Sequence, residues 1–144
     1  MSRVQLQVDG PFHFSTDFPI SVDRLNYGNH LGNEQILILA HEGRLRFFQS
    51  LGVSEFDFWG PGLIQSDAVI RYISEGHLSD QIRVDLKISD LSRAGFSVYY
   101  HMFNVTSGKV LALCKVGIVC YDYDKKKVQA VPEPFRLYLE ESGV

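Results

Sequence analysis

Cysteine is scarce in this sequence, which has two cysteines among its 144 residues. Cys114 and Cys120 are six residues apart in one predicted strand, so their side chains share a face but stand about 20 Å apart at ~3.3 Å per residue. That separation is too large for a disulfide between them. We therefore expect no disulfide framework, and a reducing, cytoplasmic setting is the default expectation.

The sequence also lacks an excess of basic charge and any long apolar run. It has 14 basic and 17 acidic side chains, a formal net charge of −3, which leaves no broad cationic face for nucleic acid and no polybasic arm for a membrane surface. The one basic run, residues 125–127, has the character of a solvated hairpin tip. The N-terminus lacks the apolar core of a signal peptide, and no window is long enough to cross a bilayer. We expect neither nucleic acid nor a membrane as a partner.

Apolar residues are plentiful, at 45% of the chain. A chain of this length and composition can bury a full core without cross-links. Neither an internal repeat nor a linker is visible in the sequence. We therefore expect one domain over residues 1–144.

Five segments have the features of β-strands, either a period-two alternation of apolar and polar side chains or an enrichment in β-branched and aromatic residues. Pro19 in the first segment favours a sheet edge or a bulge. The last segment is apolar on both faces except at Lys115, which favours a central position in the sheet. The predicted strands are residues 12–22, 63–74, 81–89, 96–105 and 110–123.

One long helix is predicted over residues 33–51, with Gly52 suited to its C-terminal cap. Asn33 is the expected N-cap because its side-chain oxygen can accept a hydrogen bond from a free N–H of the first turn. Glu34 complements the positive end of the helix dipole. Residues 36–40 are apolar nearly all round, so we expect this helix to be enclosed rather than to lie on a surface.

The order of these elements predicts the fold class. A strand, a long helix, four more strands with short connections and a short terminal helix at residues 135–139 describe an antiparallel α+β domain. Five strands in a sheet wrapped around one long central helix form the arrangement known as the hotdog fold. This is the fold that we expect.

Four short motifs occur in order along the chain. The turn before the long helix reads Asn-Tyr-Gly-Asn-His-Leu-Gly-Asn over residues 26–33, the helix carries His-Glu-Gly-Arg at 41–44, the second strand leads into Tyr72, Glu75 and Gly76, and the last hairpin spans 107–122. In order and spacing they resemble the motifs of the hotdog-fold acyl-CoA thioesterases. The resemblance covers residues 12–139 and is greatest with the 4-hydroxybenzoyl-CoA thioesterase-like and plant acyl-ACP thioesterase-like branch.

The resemblance implies an acyl-CoA thioesterase that hydrolyses an acyl or aryl thioester to the free acid and CoA. It implies no cofactor, since coenzyme A is part of the substrate, and either CoA or an acyl carrier protein could carry the acyl group. It also implies a homodimer or homotetramer, because the sites of the related families form between two subunits.

One position departs from the family pattern. Asn26 stands where many of these enzymes have a catalytic aspartate, and an amide can neither attack a carbonyl nor accept a proton. Asn26 is left to hold a water or the substrate, or to shape the turn. His30 matches the histidine of the plant-type enzymes and could activate water, with Glu75 or Asp23 orienting it or acting as the base instead. Asp67, a carboxylate on a strand, is a further candidate, and the alternative for His30 is a purely structural role in the turn.

Substrate binding is expected at the start of the helix. The backbone N–H of Gly32 or Asn33 is the candidate oxyanion donor, and glycine at 32 would let a thioester come close. Glu42 is a further candidate functional residue and ranks below His30. The alternative role for Glu42 is an ion pair with Arg46 one helical turn along. No metal is expected, because no convergent spacing is visible among His41, His77 and His101.

Two other functions remain open from the sequence. A hotdog hydratase or dehydratase acting on an enoyl thioester would use the same kind of histidine and carboxylate pair. A non-catalytic acyl-CoA or acyl-carrier binding module is the other alternative, and Asn26 favours it by removing the usual acid.

Overall fold

The alternating strands and the single long helical segment produce an antiparallel sheet that packs against one long helix. The computed structural model describes residues 2–144. It confirms the predicted α+β hotdog fold. The elements are β1 (Phe14–Pro19), a 3-10 turn (Val22–Arg24), α1 (Asn33–Ser50), β2 (Gly62–Tyr72), β3 (Gln81–Ser89), β4 (Gly95–Asn104), β5 (Lys109–Asp122), β6 (Lys127–Val128) and α2 (Glu133–Ser142).

The sheet has the strand order β1-β3-β4-β5-β2, with the two-residue strand β6 paired to β5. Pro19 ends β1, which pairs only with β3, so the predicted edge position is confirmed. β5 is an interior strand between β4 and β2, although β4 is the central one. The short β6 escaped prediction because two exposed residues carry no detectable alternation.

Helix α1 packs one face on the sheet. At Gly43 a β-carbon would lie 3.3 Å from Val84 Cγ1, so the absence of a side chain lets the helix approach β3 closely. The opposite face is open, with Ile38 46% and Leu45 36% exposed. The expected enclosure of the helix is therefore wrong for half of its circumference, because a single sheet covers only one side of a helix. The residues of α1 that are buried are Ile36, Leu39, Ala40, Gly43, Arg44, Phe47 and Phe48.

The ends of α1 differ in how well the sequence predicted them. Gly32 is the N-cap residue, and Asn33 is the first helical residue and makes no capping hydrogen bond through its side chain, so the predicted cap was placed one residue too late. At the other end Gly52 has φ +75°, the left-handed conformation typical of the residue after a helix. Helix α2 spans ten residues, more than the one or two turns expected. Within residues 2–144 no helix has both the length and the apolar character that spanning a membrane requires.

His13 makes the stability of the fold depend on pH. Its Nδ1 accepts a hydrogen bond from the Ile88 N–H at 3.0 Å, and its Nε2 is buried without a partner in residues 2–144. Burial, assisted by Lys87, lowers the pKa of His13 below its ordinary value of 6.5. The unfolded chain then binds a proton more readily than the folded one, so this contribution to stability is complete above pH 6.5 and is lost as the pH falls towards the folded-state pKa.

We therefore expect the urea midpoint of the protein to fall between pH 7 and pH 5, and to fall less for His13→Gln. Glutamine does not titrate, so its midpoint lacks the histidine contribution. Urea unfolding followed by circular dichroism at both pH values measures the difference. Equal pH dependence in the two proteins would show that His13 does not contribute.

Candidate functional site

The turn before α1 is closed by Asn26. Its Oδ1 accepts hydrogen bonds from the backbone N–H of Gly28 at 2.9 Å and of His30 at 3.2 Å, and its own N–H donates to the His30 carbonyl at 2.8 Å. Asn29, rather than Asn26, adopts the left-handed conformation, with φ +63°. Of the roles considered for Asn26, the structure supports the shaping of the turn.

A second segment, residues 73–77 after β2, lies against this turn. The Leu31 N–H donates to the Gly76 carbonyl at 2.8 Å and ties the two segments together. Gly76 is buried, and a β-carbon there would lie 2.6 Å from Ile20 Cδ1, so only glycine fits without displacing its neighbours. This contact brings two of the predicted residues together, with His30 Nε2 3.5 Å from Glu75 Oε2. Both side chains reach solvent, at 37% and 66% exposure.

The two segments and the start of α1 enclose a cavity of about 320 Å³. The Gly32 N–H donates to the Arg24 carbonyl at 3.1 Å, so it is not free to stabilise an oxyanion. Asn33 occupies the first helical position, where a backbone N–H has no partner inside the helix. The space beside Gly32 is taken by the Glu34 carboxylate, which limits the close approach expected there. The cavity is lined by Asn26, His30, Leu31, Gly32, Asn33, Ile36, Tyr72, Ile73, Ser74, Glu75, Gly76 and Leu111.

Three of the predicted site residues lie elsewhere. Asp23 accepts a 2.5 Å hydrogen bond from Ser21 Oγ, and that bond, with one from the backbone, lowers the pKa of its carboxyl group. Glu42 lies between Arg24 at 3.8 Å and Arg46 at 3.5 Å, the ion pair that was its alternative. Neither carboxylate lines the cavity that contains His30.

Asp67 is the third. A bulge between Gln65 and Asp67 interrupts the pairing of β2 with β5, and Asp67 lies opposite Gly117. A β-carbon at Gly117 would collide with the Asp67 carboxylate. Asp67 therefore points into a separate depression that it shares with Asp90 and Lys115. The bulge changes the direction of the side chain, and sequence periodicity does not detect bulges of this kind.

His77 is a residue of this site that sequence reasoning missed. Its ring meets the His30 ring edge to face, with ring centres 4.9 Å apart. The donor atoms of His30, Glu75 and His77 all lie within 4.8 Å of one another. The sequence showed no convergent spacing among His41, His77 and His101, and the structure brings His77 together with His30 and Glu75 instead. His77 is far from His30 in the sequence, so no local pattern predicted their contact. The one available signal was that His77 lies two residues after Glu75, which was already a candidate.

A second cavity, of about 410 Å³, lies further along the groove between α1 and β2. Tyr72 of β2 reaches the start of α1, where its hydroxyl donates to the Asn33 carbonyl at 3.2 Å, whereas Leu63 of β2 lies beside the middle of the helix. Both cavities therefore lie between α1 and β2, the first at the start of the helix and the second beside its middle. The second is lined by Glu34, Leu37, Ile38, His41, Arg44, Glu55, Leu63, Ile64, Gln65 and Ile118.

A polar network forms one wall of this second cavity. Arg44 Nε donates to Glu55 Oε1 at 2.8 Å, Arg44 Nη1 donates to Tyr100 Oη at 3.1 Å, and His41 Nε2 lies 3.2 Å from Glu55 Oε2. Burial by itself would lower the pKa of Arg44, but Tyr100 and Glu55 raise it above its ordinary value. Arg44 is therefore a charged, buried side chain that donates hydrogen bonds to Glu55 and Tyr100.

Neither cysteine is suited to nucleophilic chemistry. Both are free and buried. Burial raises the pKa of Cys114 to about 12 and that of Cys120 to about 11, so each is a neutral thiol near pH 7. Neither cysteine lines the two cavities along α1, so neither is placed to attack a thioester bound there.

The fold is shared with solved thioesterase structures at low sequence identity. A 1,4-dihydroxy-2-naphthoyl-CoA thioesterase from Synechocystis has a TM-score of 0.81 and 21% identity, covering 89% of this chain and 96% of that one. A thioesterase-superfamily protein from Jannaschia has a TM-score of 0.83 and 17% identity, covering 94% and 87%. A Staphylococcus aureus protein solved with CoA has a TM-score of 0.81 and 18% identity, covering 96% and 87%.

The sequence itself matches no curated protein. It does match a family model, the one described as the thioesterase-like superfamily, over residues 20–139. That range includes the turn with His30, the whole of α1 and all the strands from β2 to β6. The chain therefore belongs to the thioesterase-like superfamily.

Proposed function

We propose that this protein is an acyl-CoA thioesterase that hydrolyses an acyl or aryl thioester to the free acid and CoA. The observation that carries the proposal is the His30 and Glu75 pair, 3.5 Å apart, in a cavity at the N-terminal end of α1. The names of the structural neighbours point the same way, since one is a 1,4-dihydroxy-2-naphthoyl-CoA thioesterase and another was solved with CoA.

In this mechanism the neutral imidazole of His30 takes a proton from a water molecule as the water oxygen attacks the thioester carbonyl carbon. The Glu75 carboxylate, 3.5 Å from the ring, favours the imidazolium that forms. The carbonyl oxygen becomes negative, and the Asn33 N–H at the positive end of the helix dipole stabilises it. The carbon–sulfur bond then breaks, and the imidazolium proton passes to the leaving thiolate of CoA. Asn26 shapes the turn that holds His30.

The second cavity provides room for the acyl group. With the thioester carbonyl at the start of α1, we propose that the acyl chain extends along α1 and β2 towards the 410 Å³ cavity. Its apolar residues, which include Leu37, Leu63 and Ile118, suit a hydrocarbon chain or a ring. The network of His41, Arg44 and Glu55 gives this cavity a polar wall as well.

We also propose that the protein works as a homodimer or homotetramer. Strand β2 lies at the edge of the sheet and has an exposed middle, and Ile38 and Leu45 are exposed on the neighbouring helix. An unpaired edge strand beside apolar side chains is a surface on which a second copy could pair. The two free, buried cysteines suit a reducing compartment, and we place the protein in the cytoplasm.

The proposal predicts turnover of at least one acyl-CoA. Purified protein would be incubated, in the presence of EDTA, with short, medium and long acyl-CoAs, an aroyl-CoA and an enoyl-CoA. Free thiol would be measured with a chromogenic disulfide, and enoyl absorbance would be followed directly. Thiol release above the uncatalysed rate is expected for the best substrate. Loss of enoyl absorbance without thiol would instead support a hydratase, and saturable CoA binding with no product of either kind would support a binding module.

A further inference from the structure

We propose that His30, Glu75 and His77 form a binding site for a divalent transition-metal ion of the zinc class. The site shares His30 and Glu75 with the proposed hydrolysis, but the proposal concerns the binding of the metal and its test reads binding alone. The three side chains come from two segments that the Leu31 to Gly76 hydrogen bond holds together.

The geometry lies within reach of tetrahedral coordination. The three donor atoms are all within 4.8 Å of one another, and His30 Nε2 is 3.5 Å from Glu75 Oε2. Nitrogen and oxygen ligands about 2.0–2.1 Å from one ion lie roughly 3.3 Å apart in a tetrahedron. Small side-chain rotations therefore complete the site, and the partial exposure of all three groups leaves them free to make those rotations.

The ligand types favour zinc-class ions over magnesium or calcium. Two imidazoles and one carboxylate form the set found in zinc sites that keep a fourth position open, whereas magnesium and calcium prefer oxygen ligands. Two of the three ligands, His30 and Glu75, also line the cavity at the start of α1.

A second carboxylate supports the orientation of His77. Asp80 Oδ2 lies 3.9 Å from His77 Nδ1 and also accepts a 3.0 Å hydrogen bond from the His77 backbone N–H. The same oxygen accepts a 2.8 Å hydrogen bond from Nδ2 of Asn104, a residue with 0% exposure, so Asp80 is firmly placed. A carboxylate beside one ring nitrogen of a histidine favours a proton there and leaves the other nitrogen for a metal.

The chain offers a matched control at the pair of His41 and Glu55. His41 Nε2 lies 3.2 Å from Glu55 Oε2, so this is also a histidine and a glutamate in contact at the surface of α1. Glu55 is already paired with Arg44, however, and the pair has no third ligand in the part of the chain that the structure describes. It should therefore not bind zinc-class ions with comparable affinity.

The experiment titrates metal-free protein, with any purification tag removed, with Co²⁺ and follows the visible absorption of four-coordinate cobalt, then displaces the cobalt with Zn²⁺. We expect one equivalent to bind. His77→Ala and Glu75→Gln should each weaken binding by more than about tenfold, since even changes outside the ligand shell commonly cost that much. His41→Ala should bind as the unaltered protein does.

Two results would overturn the site. One is the absence of saturable binding in the unaltered protein, and the other is an equal loss of binding in His41→Ala and His77→Ala. Circular dichroism of each variant shows whether its fold is retained. Because hydrolysis is assayed with EDTA present, a failure to bind metal and a failure to hydrolyse thioesters are separate outcomes.

Discussion

His30→Gln is expected to lower kcat for the best acyl-CoA substrate by about 10² to 10⁴-fold, the usual contribution of a positioned general base. Glutamine keeps much of the size and polarity of histidine but has no basic nitrogen at neutral pH, so a water molecule at the thioester loses the group that takes its proton. The Asn26 hydrogen bonds involve the backbone of residue 30, and the turn should therefore survive the change. Thiol release measured over a range of substrate concentrations, in the presence of EDTA, separates kcat from KM.

The neighbouring carboxylates supply the controls for that result. Glu75→Gln should lower kcat less than His30→Gln, because Glu75 acts through the imidazole. Glu140→Gln makes the same change on the exposed face of α2 and should leave kcat unaltered. Full activity in His30→Gln, or an equally large loss in Asp23→Asn or Asp67→Asn, would assign the base to another residue.

Arg44→Met is expected to destabilise the fold by about 3 kcal/mol, the low end of the range for removing one partner of a buried ion pair. Arg44 is 3% exposed and joins Glu55 of the loop after α1 to Tyr100 of the central strand β4. Methionine fills much of the same space but leaves the Tyr100 hydroxyl, which is fully buried, without this donor. The low end applies because the Glu55 side chain is 25% exposed and water can partly replace Arg44 there.

Urea unfolding measures the change in the free energy of unfolding, and Arg71→Met is the control. Arg71 is exposed, and its hydrogen bond to the Leu6 carbonyl is long at 3.5 Å. The same substitution there should alter stability by less than about 0.5 kcal/mol. If the two variants prove equally stable, the buried network contributes no net stability and serves only to shape the second cavity.

The sequence was informative wherever a structural feature depends on neighbouring residues. Alternation over residues 81–89 located β3, the apolar run ending before Gly52 located α1, and Pro19 marked an edge strand. The turn that carries Asn26 and His30 was also visible, because its hydrogen bonds join residues at most four positions apart. Motif order was sufficient to identify the fold.

Contacts between segments far apart in the chain could not be predicted from local sequence patterns. Whether a glutamate or a histidine of residues 73–77 lies beside His30 depends on the hydrogen bond between Leu31 and Gly76, which joins positions 45 residues apart. Likewise Asp67 was a reasonable candidate by periodicity, and a bulge opposite Gly117 turned it away.

The sequence by itself therefore determined the strands, the long helix, the polar turn and the superfamily, because periodicity and turn chemistry act over a few residues. Only the tertiary structure decided which groups meet. It brought His30, Glu75 and His77 together, engaged the Gly32 N–H with the Arg24 carbonyl, and left one side of α1 open beside β2. The physical reason is that these arrangements depend on hydrogen bonds and packing between segments far apart in the chain, which local patterns do not encode.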